Sequence, residues 1–202
     1  MKRAKIYQEF ERICHEHARP KGKVLEVGAV PGGKSLLAMP FLAEAEERVG
    51  INLDGPHECD GYRILNGNGN SMECFPDAHF DLVMSNATFE HDPFFWKTVE
   101  EMHRVTKSGG LIVVSAPGYR TLSVERCRKY LAKIPFLSHF RNTALVSMLF
   151  RGTITTAEHD APGDYYRFSP QAFRDVILGG LKDVQVKSLN LPPRLIGFGF
   201  KP

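Results

Sequence analysis

The chain has 202 residues and a mass of 22.7 kDa, room for one domain rather than two independent cores. Hydrophobic residues make up 43% and charged residues 24%, which excludes disordered, collagen-like and coiled-coil classes. Lys and Arg number 26 against 23 Asp and Glu, and the formal charge of +3 argues neither for nor against nucleic acid.

Residues 2–18 predict a helix, with Ile6, Phe10, Ile13 and Cys14 on one face and Pro20 and Gly22 ending it. KVLEVG (23–28) reads as a short strand running into a Gly/Pro loop. Residues 35–47 predict a helix with a break at Pro40, and RVGINL (48–53) a second strand. Residues 63–65 form a weaker strand and FDLVMS (80–85) a clear one. Residues 91–106 are helical in pattern, with Phe95, Val99, Met102 and Val105 in the apolar rows. Lys107-Ser108-Gly109-Gly110 stops that helix, and LIVVSA (111–116) suits a strand buried on both faces of a parallel sheet.

Strand and helix alternate throughout residues 23–116, the pattern of a doubly wound α/β fold. The rhythm breaks at residues 119–160, where 123–133 and 136–150 predict two helices separated by Pro135. We read this stretch as a helical cap inserted over the open end of the sheet. A helix at 170–178 and strands at 183–189 and 195–200 follow. With no helix between them, the last two strands should pair antiparallel at one edge. The whole is one domain: an N-terminal helix (1–22), a core (23–118), the cap (119–160) and a C-terminal part (161–202).

Cys14, Cys59, Cys74 and Cys127 form no C-x-x-C pair, so no zinc ribbon or redox motif is expected. His15 and His17 do not face each other on a helix, and no metal site is expected. Residues 1–20 are charged throughout, unlike a signal peptide, and no run of about 18 apolar residues could span a bilayer. A cytoplasmic chain with free thiols is the expectation.

The most informative segment is VLEVGAVPGGKS (24–35), a strand, a glycine-rich turn and a helix start. Taken literally, residues 28–35 fit the phosphate loop G-x-x-x-x-G-K-[ST]. That chemistry also needs a carboxylate at the end of an apolar strand for Mg²⁺, and FDLVMSN and LIVVSAP end without one. Pro31 removes one N–H from a loop whose use is to donate them. A glycine loop that merely packs strand against helix is a further reading.

More residues fit another pattern. Glu26, Gly28 and the Pro31-Gly32-Gly33 turn resemble the first motif of class I S-adenosylmethionine-dependent methyltransferases. RVGINLD resembles that family's second strand, GNGNSMECFPDAHFDLVMSNATFEHDP its third-motif loop, fourth strand and following turn, and VEEMHRVTKSGGLIVVSAPG its next helix, turn and strand. DYYRFSPQAFRDVI resembles a late helix of the small-molecule branch. The resemblance implies a Rossmann-like, mostly parallel seven-stranded sheet with an antiparallel edge strand, and S-adenosylmethionine as cofactor. It places Gly28, Ala29 and Gly32 against the cofactor's tail and ribose, with Glu26 orienting the ammonium. Asn52 and Leu53 then lie at the ribose and Asn68, Gly69, Asn70, Ser71 and Met72 at the adenine, with Phe75 a further apolar candidate there and Asn86 at the rim.

The family usually has acidic residues where this chain has Asn52 and Asn68 or Asn70. A neutral amide oxygen accepts more weakly than a carboxylate, by roughly 1 kcal/mol per site. Asn52→Asp is therefore expected to tighten cofactor binding. His91 and His159 are the candidate catalytic bases, and Tyr165, Tyr166 and Arg167 the candidate acceptor-binding residues.

The cap is basic at first and apolar near its end, which also suits peripheral membrane contact. The acceptor expected is a small molecule or a glycan or lipid precursor, with no nucleic-acid partner, and the sequence sets no oligomeric state. Two alternatives stay open: a non-catalytic S-adenosylmethionine-binding protein with degenerate acidic motifs, and a phosphate-loop nucleotide hydrolase or kinase using Gly28–Ser35.

Overall fold

A computed structural model of the protein describes residues 5–121, 153–158, 163–190 and 193–202. The strands are β1 (Lys23–Val27), β2 (Glu47–Asn52), β3 (His57–Cys59), β4 (Tyr62–Asn66), β5 (Phe80–Asn86), β6 (Thr106–Pro117), β7 (Tyr119–Thr121), β8 (Thr153–Thr155), β9 (Lys182–Asn190) and β10 (Pro193–Phe200). The helices are α1 (Lys5–His17), α2 (Phe95–Val105) and α3, a turn at Pro170–Ala172 continuing as a wider π-type coil at Phe173–Ile177.

Eight strands form one sheet in the order β3-β4-β2-β1-β5-β6-β10-β9. β4, β2, β1, β5 and β6 run parallel. The last two strands pair antiparallel at one edge, as expected, with β9 outermost and β10 between it and β6. An antiparallel strand does close one edge: β3, a three-residue hairpin partner of β4 too short and polar to read from sequence.

Both faces of the sheet are covered, which is why β1 and β5 read as near-continuous apolar runs. Leu25, Val27, Val83, Ile112 and Val114 pack under α2 and α3, against Met102, Val105 and Phe173. Val24, Leu82, Met84 and Val113 pack on the other face under Phe10 and Ile13 of α1 and under Leu36 and Leu37. The apolar stripe of α1 is Ile6, Phe10, Ile13 and Cys14, as its spacing predicts. Lys187 of edge strand β9 reaches both oxygens of Glu9 at 2.9 Å, tying that edge to the helix.

The helix expected over residues 35–47 is replaced by two 3₁₀ turns, Leu36–Ala38 and Pro40–Leu42. Pro40 has no N–H for the helical ladder and forces Met39 into an extended conformation, φ −66° and ψ 133°. A similar effect shortens α2. Its pattern begins at His91, but Pro93 delays the first turn until Phe95.

Tyr119–Thr121 and Thr153–Thr155 form a two-stranded antiparallel ribbon that brings the ends of the predicted cap together. The two helices predicted for the cap, its basic and apolar stretches, and His159 lie outside the described residues. Among the described residues no helix is long and apolar enough to cross a membrane, and no group of three or more His, Cys, Asp or Glu could hold a metal ion. Cys14, Cys59 and Cys74 are free thiols.

Candidate functional site

Parallel strands direct their carboxyl ends to one side of the sheet, where the loops after β1, β2, β4 and β5 meet. Gly28 ends β1 with φ +78°. A Cβ there would stand 2.1 Å from the Thr88 hydroxyl oxygen, so only glycine allows the loops after β1 and β5 to approach this closely. The N–H groups of Gly28 and Ala29 both donate to the Ile51 carbonyl, at 2.9 and 3.3 Å, and Ala29 is fully buried. Gly32 has φ +82° and open space around it, and its carbonyl accepts from the Tyr62 hydroxyl at 3.0 Å.

Glu26 is buried in β1 and turned toward the end of the glycine loop. One carboxyl oxygen accepts from the Ser35 hydroxyl at 2.5 Å and from the N–H groups of Leu36 and Leu37 at 2.9 and 3.3 Å. Burial pushes its carboxyl up to about 7, with those three donors pulling the other way. The side chain thus anchors the 3₁₀ turn that stands in for a helix.

Asn52 sits where the ribose acceptor was expected, but both halves of its amide are engaged. The nitrogen donates to the Ala29 carbonyl at 2.6 Å and the oxygen accepts from Asp54 N–H at 3.2 Å. Only the nitrogen can face a carbonyl, so the network fixes the orientation. Leu53 beside it is 73% exposed, an apolar surface at the crevice mouth.

In the loop after β4, the Asn68 oxygen accepts from Asn70 N–H at 2.9 Å. The Asn70 amide donates to Asp92 at 2.7 Å and to the Thr98 hydroxyl at 2.8 Å, fastening the loop to α2. Gly69 lies where a Cβ would press on Thr98 and Val27, and the Ser71 hydroxyl bonds Glu73. Met72 and Phe75 are both buried in the core, and Met72 N–H is held by Glu101 at 2.6 Å. Arg104 clamps the same loop through the carbonyls of Met72 and Phe75.

The carboxyl ends of β5 and β6 differ. Asn86, the last residue of β5, and Ser115, its register partner on β6, each have a buried side-chain oxygen with no hydrogen-bond partner. His91 is half-buried on the loop that follows. Glu90, which the sequence reading passed over in favour of its neighbour, is fully buried with neither carboxyl oxygen partnered. Nothing in TFEHDP separates a buried glutamate from an exposed one, because the burial comes from a distant segment. Tyr165 and Tyr166 N–H groups donate to the Glu90 carbonyl, at 2.7 and 3.3 Å, and bring residues 163–168 over it.

Of the expected acceptor residues, Tyr165 is 58% exposed. The Tyr166 hydroxyl donates to the Pro93 carbonyl at 3.0 Å, and its ring packs on Phe95. Arg167 is committed internally. It pairs in a fork with Asp164, at 2.5 and 2.6 Å, and its remaining bonds go to the carbonyls of Thr156, Ala157 and Tyr166. It has no free edge for an acceptor carboxylate. A cavity of about 630 Å³ opens away from these groups, between Pro31–Gly33 and the Arg48, Asp60 and Tyr62 edge of the sheet.

Residues 25–114 match the family model of a methyltransferase domain. An uncharacterized methyltransferase of Mycobacterium sp. (strain JLS) is 37% identical over 103 residues, covering 48% of this chain and 39% of that protein. A demethylmenaquinone methyltransferase of Lysinibacillus sphaericus is 30% identical over 126 residues, 55% of this chain and 54% of that protein. The chain thus spans well under two thirds of these relatives. In structure it is similar to a SAM-dependent methyltransferase from Archaeoglobus fulgidus, with a TM-score of 0.62 at 14% identity, covering 97% of this chain and 93% of that one.

Proposed function

We propose that this chain, which carries a class I S-adenosylmethionine-dependent methyltransferase domain, transfers a methyl group from that cofactor to a small-molecule acceptor at the carboxyl ends of β5 and β6. The observation that carries the reading is the uneven satisfaction of polar groups around the crevice. The glycine loop is braced by the chain itself, and the neighbouring β5–β6 end holds buried oxygens that lack donors.

The residues present fit the cofactor. The Asn86 oxygen is an orphaned acceptor at the strand end, suited to a ligand that carries hydroxyl and ammonium donors. Gly28 keeps the loop floor free of a side chain, and exposed Leu53 offers an apolar wall for a base. When bound, the cofactor supplies a methyl group already activated by a sulfonium. The work left to the protein is to align the acceptor and exclude water. Gly28, Ala29 and Asn52 position the loop, and His91 and Tyr165 border the acceptor's side. A relative named for demethylmenaquinone methylation supports a small-molecule acceptor.

A second reading, binding without transfer, draws on Asn52, Asn68 and Asn70, whose amides bond the chain rather than stand free for a ligand. The phosphate-loop reading loses its support, because Lys34–Ser35 leads into a three-residue turn and not a helix whose N-terminus could hold phosphate. Thermal unfolding with S-adenosylhomocysteine, S-adenosylmethionine and ATP–Mg²⁺ tests all three. Both sulfur ligands should raise the melting temperature by mass action and ATP–Mg²⁺ should not. A shift with ATP–Mg²⁺ alone would overturn the proposal, and a shift without transfer to any acceptor would favour binding alone.

A further inference from the structure

Glu90 has no task in the function proposed above. Its side chain is fully buried, and among the described residues its own backbone N–H is the sole donor directed at the carboxyl, a costly state unless a ligand completes it. The segment is not loose. The Glu90 carbonyl is held by two N–H groups from the far side of the crevice, and Thr88, two residues earlier, is tied to the Val27 carbonyl at 3.2 Å. The charged and titratable groups facing the carboxyl are His91 from its own loop, Arg167 from the covering segment and Arg194 from β10. None donates to it, and Arg167 is already forked onto Asp164. The Asn86 amide oxygen and the Ser115 hydroxyl are also unpartnered, on the adjoining strand ends.

We propose that the Glu90 carboxylate receives the proton-bearing atom of the acceptor, an O–H or N–H group whose proton passes to Glu90 as the methyl group arrives. This rests on the methyl-transfer reading. The step balances: the acceptor's lone pair forms the new bond to carbon, the carbon–sulfur bond breaks with its electrons on sulfur, and the O–H or N–H proton ends on the carboxylate. Burial raises the basicity of Glu90, with its own backbone N–H and the charges of His91, Arg194 and Arg167 acting against it. A stronger base than an exposed glutamate suits removal of a weakly acidic proton. The acceptor class is accordingly an alcohol, phenol or amine rather than a carbon or thioether nucleophile.

The test uses the full chain with S-adenosylhomocysteine bound, as wild type, Glu90→Gln and Glu90→Leu. Catechol and propylamine are the donor probes, with veratrole and propyltrimethylammonium as their methyl-capped controls. Wild type should gain thermal stability with a donor probe and not with its capped control. Glu90→Leu should melt higher than wild type when unliganded, keep its affinity for S-adenosylhomocysteine, and bind the donor probe roughly tenfold or more weakly. Glu90→Gln should retain part of the binding through its amide oxygen but, with S-adenosylmethionine in place of S-adenosylhomocysteine, lose the rise of methyl-transfer rate with pH. Equal gains with capped controls, unaltered probe binding in Glu90→Leu, or no gain with either donor probe would each overturn the proposal. Failure of wild type to respond to S-adenosylhomocysteine would instead overturn the cofactor reading beneath it.

Discussion

The two sides of the crevice treat their polar side chains differently. On the β1–β2–β4 side, Glu26, Asn52, Asn68 and Asn70 each bond to backbone or side-chain groups of the chain itself. On the β5–β6 side, Asn86, Glu90 and Ser115 bury side-chain oxygens that no other described residue hydrogen-bonds. The first side is built to hold a shape, and its polar groups act mainly through the backbone they brace. The second side has acceptors to offer, and a ligand with donors is what would stabilise it.

The sharpest way to break the braced side is Gly28→Ala. The new methyl group would meet Thr88 at 2.1 to 2.9 Å and hold a non-glycine residue at φ +78°. Strain and overpacking together should cost roughly 2–5 kcal/mol and abolish the response to S-adenosylhomocysteine, measured by urea unfolding with and without it. A variant as stable and responsive as wild type would show that the loop does not need this close approach.

Glu26→Gln probes the same brace through pH. Burial pushes the folded carboxyl up to about 7 from its ordinary 4.5, so between those values the native state binds more protons than the unfolded one. Its stabilising contribution is therefore complete at low pH and lost as pH rises through about 7. The glutamine variant lacks this loss, so its stability relative to wild type should climb across that window, by on the order of 3 kcal/mol, and then level off. Parallel pH–stability curves for the two proteins would contradict the assignment.

The smallest effect expected is at Asn52. An aspartate keeps the bond from Asp54 N–H but cannot donate to the Ala29 carbonyl and sets a negative oxygen beside it. Asn52→Asp should therefore weaken S-adenosylhomocysteine binding, by about 1 kcal/mol or a few-fold in calorimetry. This reverses the tightening expected when Asn52 is read only as a ribose acceptor. Tighter binding would return the residue to that role and make this side, too, a ligand-facing one.

The order of strands and helices was legible because apolar runs of five or six residues alternate with helical stripes, as in KVLEV and the Ile6–Phe10–Ile13 stripe. The glycine loop was legible from Gly28 and the Pro31-Gly32-Gly33 turn, and Gly28 and Gly32 both take a positive φ. Less visible was whatever depends on contacts between distant segments. Pro40 was read as a break in a helix, but its consequence was the loss of that helix. Asn52 was read by its acceptor, while the donor half found Ala29. Glu90 could not be distinguished from a surface carboxylate until residues 163–168 were seen to cover it.

The placement of β10 has a consequence for how this sheet is assembled. Residues Pro193–Phe200 follow every other described strand in the chain, yet they bond β6 on one side and β9 on the other. During synthesis β6 must wait with an unpaired margin, carrying the apolar run Leu111–Val114, until almost the whole sheet has left the ribosome. Completing it then requires β10 to pair with β6 late, carrying edge strand β9 with it, a long-range step of the kind that slows folding and exposes chains to aggregation.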